Sequence, residues 1–470
     1  MTTVLFQSVP PQTLLTLDLI SLTASPAFQG IRRVPPGLHF VLTGTDAGLS
    51  VRNGVWFQVP GADAGTSQRN IIFQWIPEEE HLVQIHDETS PAVLRGEGFG
   101  LRDQLGGGLV DYGFQNTNKD FDDNLPSWQS LTQHINMDTL NRILLPPQSS
   151  SSSPTDIPSW TITSTSSSIQ DLEPEIPNLS SSRNPSPSTD FTTDDPSTLN
   201  LIPIDLRRTW PSTAIGRSRT LYARDRSWAL SNLFTLAAEQ SPSSTSNMTQ
   251  TQRLELGAHQ LLSELQFCFL MVLLLGNFSC FEQWKRITGL IFTCKQAVRE
   301  IEGWFILVLK VLEEQIRCLG TGEGGMFEAG GLGMMEEVRE EFASGIADGM
   351  LGGGAGLLGG GEGRMRKLLM GWQKGIEEEG GGGGDEKQKD GDTNTGHLQK
   401  SHDDTNQLKQ EIGNLWRLLK EEFGWEDEGI TVLKRGMVNL EDGEQVELEV
   451  EGADEDEELG EYAPVVVDLD

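Results

Sequence analysis

Residues 253–275 are apolar on almost every side when wound into a helix, and a helix without a polar face has to lie at the centre of other elements. The rest of the chain must therefore supply its neighbours. Gly276 and Asn277 end it and Phe278 opens a second helix, the signature of a helical hairpin. A third long helix is expected over residues 296–319, with Trp304, Leu307, Val308, Val311 and Leu312 as its buried stripe. Upstream, Asp225 is placed to cap a helix that carries Trp228, Leu230, Leu233 and Phe234 on one side. Downstream, residues 408–423 put Ile412, Leu415, Trp416, Leu419 and Phe423 on one face. The unbroken apolar part of the central helix, 267–275, is shorter than the roughly 20 residues that a bilayer crossing needs. An all-α domain of a soluble protein is the expectation for this half.

The first 115 residues have a different rhythm. Runs rich in aromatic and β-branched residues at 37–42, 54–59, 70–76 and 81–86 are separated by Gly, Pro, Asn and Asp, which argues for an antiparallel sandwich or barrel. Residues 24–36 read as irregular chain, with Pro35, Pro36 and Gly37 as a tight turn. Helical spacing then brings Trp128, Leu131 and Ile135 to one face, and Asp138 is placed to cap a short second helix. The fold class expected is α+β multidomain: an N-terminal antiparallel β-sandwich-like domain over 1–145, a Ser/Thr/Pro-rich disordered linker over 146–200, a C-terminal all-α helical domain over 201–425 with a Gly-rich insertion at about 320–400, and an acidic tail with a terminal strand over 426–470. In the insertion, amphipathic pieces at 335–342 and 365–372 read as helices between expanded loops.

Charge narrows the function classes. With 35 basic and 69 acidic residues the formal charge is −34, which repels phosphate backbones and anionic lipid, so neither direct nucleic-acid binding nor membrane binding is expected. Residues 441–470 hold 14 acidic residues and no basic one. The first basic residue is Arg32, and Pro10, Pro11 and Asp18 interrupt the apolar stretches before it, so no secretory signal is expected. Cys268, Cys280, Cys294 and Cys318 sit in apolar helical sequence without a C-x-x-C pair and read as buried thiols of a reducing compartment. The sequons at Asn247 and Asn277 are then chance matches, and the linker's many Ser-Pro pairs are equally consistent with phosphorylation and with unregulated disorder.

No motif points to catalysis. The Gly runs around Gly352 and Gly380 follow no buried strand and lack the lysine of a phosphate-binding loop. His81 and His86 fall on opposite faces of a strand, and Ser344 has Phe342 where a nucleophile elbow has glycine. No catalytic residue, metal site or cofactor is assigned, and the protein is expected not to be an enzyme. A better signal lies at residues 462–470, where three consecutive valines follow a dense acidic run. Such a strand needs an edge to pair with, either on a partner or on the chain's own β domain.

Residues 262–286, LSELQFCFLMVLLLGNFSCFEQWKR, closely resemble the core signature of the A1 cistron-splicing factor family: G-E-L-Q-F-A-F, then L-G-N, then W-K. The resemblance extends in order to residues 30–40, 128–132, 225–230 and 463–468, while the linker and the Gly-rich stretch look like insertions. It implies an assembly chaperone of the U5 small nuclear ribonucleoprotein for pre-mRNA splicing, present in cytoplasm and nucleus. Its partner would be the RNase H-like and Jab/MPN-type domains of the particle's large central protein, held so that the helicase does not join prematurely. By position Ala463, Pro464, Val465, Val466, Val467, Asp468 and Leu469 would be the strand that pairs with the partner's sheet. The acidic run at 454–458 would steer the chain toward basic surfaces, or serve only as a solvated tail. The same resemblance makes Leu265, Phe267, Phe269, Leu273, Phe281 and Trp284 core, and leaves Glu264, Asn277, Lys285 and Arg286 open between partner contact and internal pairing. A generic interaction adaptor with a helical domain, a cryptic hydrolase and a trafficking adaptor are the competing readings.

Overall fold

Strands form in the first part of the chain where residues alternate between faces, as at 70–76, where Ile71, Phe73 and Trp75 are buried and Asn70 and Gln74 exposed. The computed structural model describes residues 2–44, 51–61, 70–85, 108–113, 126–144, 159–168, 171, 198–243, 247–320, 338–339, 342, 369–370, 372–373, 402–424, 435–439 and 445–449. Its strands, in chain order, are β1 (Thr2–Gln7), β2 (Leu14–Leu17), β3 (Ile20–Thr23), β4 (Gly30–Val34), β5 (Gly37–Gly44), β6 (Asn53–Val59), β7 (Asn70–Ile76), β8 (His81–Ile85) and β9 (Leu109–Asp111). After the short helices α1 (Trp128–Thr132) and α2 (Met137–Ile143) comes β10 (Ser159–Thr163).

These strands make two five-stranded sheets, ordered β8-β7-β1-β4-β9 and β10-β6-β5-β2-β3. The expected antiparallel pairing holds throughout the second sheet. In the first, β1 runs parallel to β7 and β4 parallel to β9. β7 reaches β1 only after the chain has passed through the other sheet, so no hairpin imposes an antiparallel direction. The facing sides share one core that includes Val4, Phe6, Leu15, Val41, Phe57 and Phe73, and the Phe57 and Phe73 rings meet edge to face at 5.2 Å.

The second sheet is buried on its other side too. Trp56 points away from Phe57 and meets Phe40 at 5.1 Å, Trp128 of α1 at 5.7 Å and Phe267 of the central helix at 6.1 Å. This is why the strand 37–44 reads as an almost continuous apolar run rather than an alternation. Trp160 of β10 lies opposite Trp56 in the ladder and is fully buried. The expectation of a disordered linker is therefore corrected at 159–168: Trp160 and Ile162 alternate with exposed threonine and complete the sheet, whatever the surrounding serine content suggests. Residues 24–36 are corrected likewise, since 30–34 are β4. Asn136, not Asp138, caps α2, its side chain accepting from the Thr139 N–H at 2.8 Å.

The helical half contains β11 (Ser167–Ser168) paired with β12 (Thr198–Leu199) at its start, then α3 (Arg217–Arg224), α4 (Ser227–Gln240), α5 (Gln250–Leu275), α6 (Phe278–Ile291), α7 (Ala297–Glu300), α8 (Glu302–Gly320) and α9 (His402–Phe423). α5 opens with a capping box between Thr249 and Gln252 and closes on Gly276 in the left-handed conformation, φ 67°. By length and composition it could cross a membrane, but 89% of its most apolar 18 residues are buried within the protein. The third helix is broken at Ile301; of its expected stripe Val308, Val311 and Leu312 are buried and Trp304 is half-buried, with Phe305, Leu309 and Ile316 buried beside them, while Leu307, expected inside, is 39% exposed. β13 (Arg435–Asn439) and β14 (Gln445–Glu449) form an antiparallel hairpin within the acidic tail.

Two compact units result. The first comprises Met1–Pro203, Leu233–Ile287 and Lys310–Glu340, the sandwich with α5 laid on its second sheet. The second comprises Ile204–Asn232, Thr288–Leu309 and Glu341–Asp470. In it Asp225 accepts from the N–H groups of Ser227, Lys295 and Gln296, each at 3.0 Å, tying the start of α4 to the turn before α7. Trp372 lies 5.7 Å from Phe292 and 5.9 Å from Phe305, and Phe342 stacks on Phe423 at 5.8 Å. Both amphipathic pieces expected in the Gly-rich stretch thus contribute buried helical residues.

Candidate functional site

Glu264 lies on the face of α5 that meets α2 and α6, and it is fully buried. Burying a carboxylate is tolerable only with full pairing, and each of its oxygens is engaged. Arg142 Nη2 lies 2.7 Å from Oε2, and Oε1 accepts from the Ile202 N–H at 3.1 Å and from Gln283 Nε2 at 2.7 Å. Arg142 in turn donates through Nε to Gln260 at 2.9 Å, and Gln283 also donates to the Ile202 carbonyl at 2.7 Å.

Asn277 plays the same part at the other end of α5. Its Oδ1 accepts from the Cys280 N–H at 2.9 Å and so caps α6, while its Nδ2 reaches the carbonyls of Thr163, Ser164 and Ser166 at 3.1, 3.3 and 2.8 Å. Arg286 pairs with Asp171 at 2.8 Å, and Lys285 lies over the Phe281 ring at 4.3 Å while pairing with Glu282. The four polar residues left open by the sequence are thereby placed: each makes an internal pair. Leu265, Phe267, Phe269, Leu273, Phe281 and Trp284 are all buried, as the resemblance implies. Trp284 donates to Gln315 at 3.0 Å.

The β domain holds one buried His–Asp pair. Asp18, at a positive φ of 58° in the turn between β2 and β3, accepts from His39 Nδ1 at 2.7 Å, from the Tyr112 hydroxyl at 2.6 Å and from the Phe40 N–H at 2.9 Å. His39 Nε2 faces the Pro35 carbonyl at 2.9 Å. Two acceptors flanking one ring favour the imidazolium: burial pushes its pKa down, but Asp18 and Pro35 outweigh that and raise it. Burial, helped by Asp18, also pushes Tyr112 far up. With both ring nitrogens engaged, this pair joins strands and has no nitrogen left to activate a nucleophile. His134 and His259, 6.1 Å apart, show the opposite shift: burial and the neighbouring His259 push His134 down to about 4.

The four cysteines are buried free thiols, and burial raises Cys268, Cys294 and Cys318. Among the described residues no three His, Cys, Asp or Glu side chains gather as a metal-binding cluster. The strand Ala463, Pro464, Val465, Val466, Val467, Asp468 and Leu469 lies outside the described residues, as does the acidic run at 454–458.

Two family models match the chain. One, described as the AAR2 N-terminal domain, covers residues 1–145, and the other, described as the AAR2 C-terminal repeat region, covers residues 201–428. No curated protein matches it.

Proposed function

The chain belongs to the AAR2 family of splicing factors that act in assembly of the U5 small nuclear ribonucleoprotein, and from that premise we propose that it is a binding chaperone for the large central protein of the particle. The observation that carries this reading is the coverage: both family models match, in order, across the sandwich and the helical region. The partner surfaces are the RNase H-like and Jab/MPN-type domains, bound in the cytoplasm and released on nuclear maturation.

Ala463 to Leu469, in the tail 426–470, is the contact strand. Backbone N–H and C=O groups of an added strand supply affinity, and alternate side chains supply register and specificity. An edge occupied in this way is closed to any competitor that needs it, which is how the helicase would be held off. This is exclusion by binding, and no step of it asks for catalysis.

A pull-down of the two partner domains tests it, using the full chain and a truncation ending at Tyr462. Retention by the full chain and a clear loss on truncation support the strand mechanism. If the full chain retains neither domain, the partner assignment fails, and a general adaptor role takes its place.

A further inference from the structure

On a chain of charge −34, one surface of the second unit is basic. Arg207, Arg208, Arg217, Arg219 and Arg224 are exposed within eighteen residues that hold no acidic residue. Asp225 is already engaged by the N–H groups of Ser227, Lys295 and Gln296, and Asp205 accepts from the Arg207 N–H at 2.8 Å. At the centre stands α3, eight residues long with none buried. It is held from below by short ties: Arg219 Nε donates to the Ala214 carbonyl at 2.7 Å, and the Thr209 hydroxyl to the Tyr222 carbonyl at 3.3 Å. Ile215 and Leu221 are 73% and 58% exposed beside the arginines. Arg208 and Arg217 are exposed and make no ion pair among the described residues. A helix this short has little stability of its own in water, and two large apolar side chains beside it lie uncovered.

The same unit carries the complementary chemistry. Residues 450–459 begin with Val450, end with Leu459, and hold Glu451, Asp454, Glu455, Asp456, Glu457 and Glu458 with no basic residue. We infer that this acidic segment docks on α3 in the free protein, its carboxylates on the arginines and its apolar ends on Ile215 and Leu221. Because the segment belongs to the same chain, docking is intramolecular and a modest intrinsic affinity suffices to keep it bound. The segment adjoins the contact strand proposed above, so docking holds that strand back until a partner competes for it. The inference stands apart from that reading, because its test needs no partner.

Amide hydrogen exchange of the full chain, read on the peptide covering residues 217–224, makes the test at about 0.1 M and about 1 M NaCl, where charges are screened over about 10 and 3 Å. The wild type at low salt should exchange about tenfold more slowly there than a variant with Asp454→Asn, Glu455→Gln, Asp456→Asn, Glu457→Gln and Glu458→Gln, and high salt should remove the difference. Arg208→Glu with Arg217→Glu should speed exchange equally, with unchanged circular dichroism, since neither side chain braces the fold. Adding lysines at 454–458 to that double variant should restore protection. Exchange indifferent to salt and to neutralisation overturns the inference. So does an oligouridylate that protects the helix equally in the wild type and the neutralised variant, which would make the surface a nucleic-acid site.

Discussion

Glu264, one of four polar residues that the family signature leaves open, is fully buried, and its burial makes a quantitative prediction. Glu264→Leu leaves the Arg142 guanidinium inside the protein without its counter-charge and deprives the Ile202 N–H and the Gln283 amide of their acceptor. Removing one member of a buried pair costs about 3–5 kcal/mol, and Arg142→Met should cost a similar amount by exposing the same carboxylate to an apolar surround. The double variant removes both charges together, so it should cost about as much as either single change, a coupling of about 3 kcal/mol. Urea unfolding of the full chain, followed by tryptophan fluorescence, gives the four stabilities of the cycle. Single costs that add to within about 0.5 kcal/mol would refute the account of Glu264 and Arg142 as one internal unit. Unchanged stability with lost partner binding would instead place Glu264 on a functional surface.

Four other outcomes are expected. Gly257→Ala should destabilise by about 1–2 kcal/mol in thermal melts, because a Cβ there overlaps the Phe234 carbonyl oxygen where α4 crosses α5, and overpacking of about 1–3 kcal/mol outweighs the gain in helix propensity. Trp160→Ala should cost about 3–5 kcal/mol and deprotect β10 in hydrogen exchange, although it lies in serine-rich sequence. The His39–Asp18 pair raises the folded pKa of His39, so its stabilisation is complete below the unfolded value near 6.5 and is lost as pH rises through the folded value; His39→Gln should flatten this alkaline limb of a stability–pH curve. His134, depressed to about 4, acts oppositely: stability is lost as pH falls from about 6.5 to about 4, by about 1–3 kcal/mol after allowing for its partial exposure, and His134→Gln should remove that limb.

What was legible in the sequence follows from what a local pattern can encode. α5 was readable because its apolar residues occupy all sides, and the end at Gly276 because a left-handed residue after a helix favours glycine. Strands 54–59 and 70–76 were readable from aromatic and β-branched runs. β1, β2 and β3 were not picked out, being short or mixed with threonine, and β10 was masked by composition although Trp160 and Ile162 alternate. Of the stripe expected in α8, Val308, Val311 and Leu312 are buried, while Leu307 lies on the exposed side of the helix and Phe305, Leu309 and Ile316 share the buried one. Parallel pairing of β1 with β7 is a long-range outcome that no hairpin signal announces. The polar ties were unreadable for the same reason: Glu264 and Arg142 lie on elements far apart in the chain, and side-chain polarity alone does not distinguish a solvated carboxylate from a buried, paired one.

That last point separates identity from function in this molecule. The segment 262–286, which carries the family resemblance most strongly, is nearly all interior: its aromatic residues fill the space between α5, α6 and the second sheet, and its polar residues hold Ile202, residues 163–166 and Gln315 in place. Phe278, 56% exposed, is the exception among its large apolar side chains. Such a segment specifies a scaffold, since its buried residues are constrained by neighbours of fixed shape or hydrogen-bonding geometry. Among the described residues, the arginine-bearing helix α3, with no buried residue, is one surface that the scaffold leaves uncovered. Substitutions in the signature should therefore act on binding through stability, in proportion to the fraction unfolded, whereas substitutions on α3 or in the tail should change binding or docking with the melting temperature unmoved.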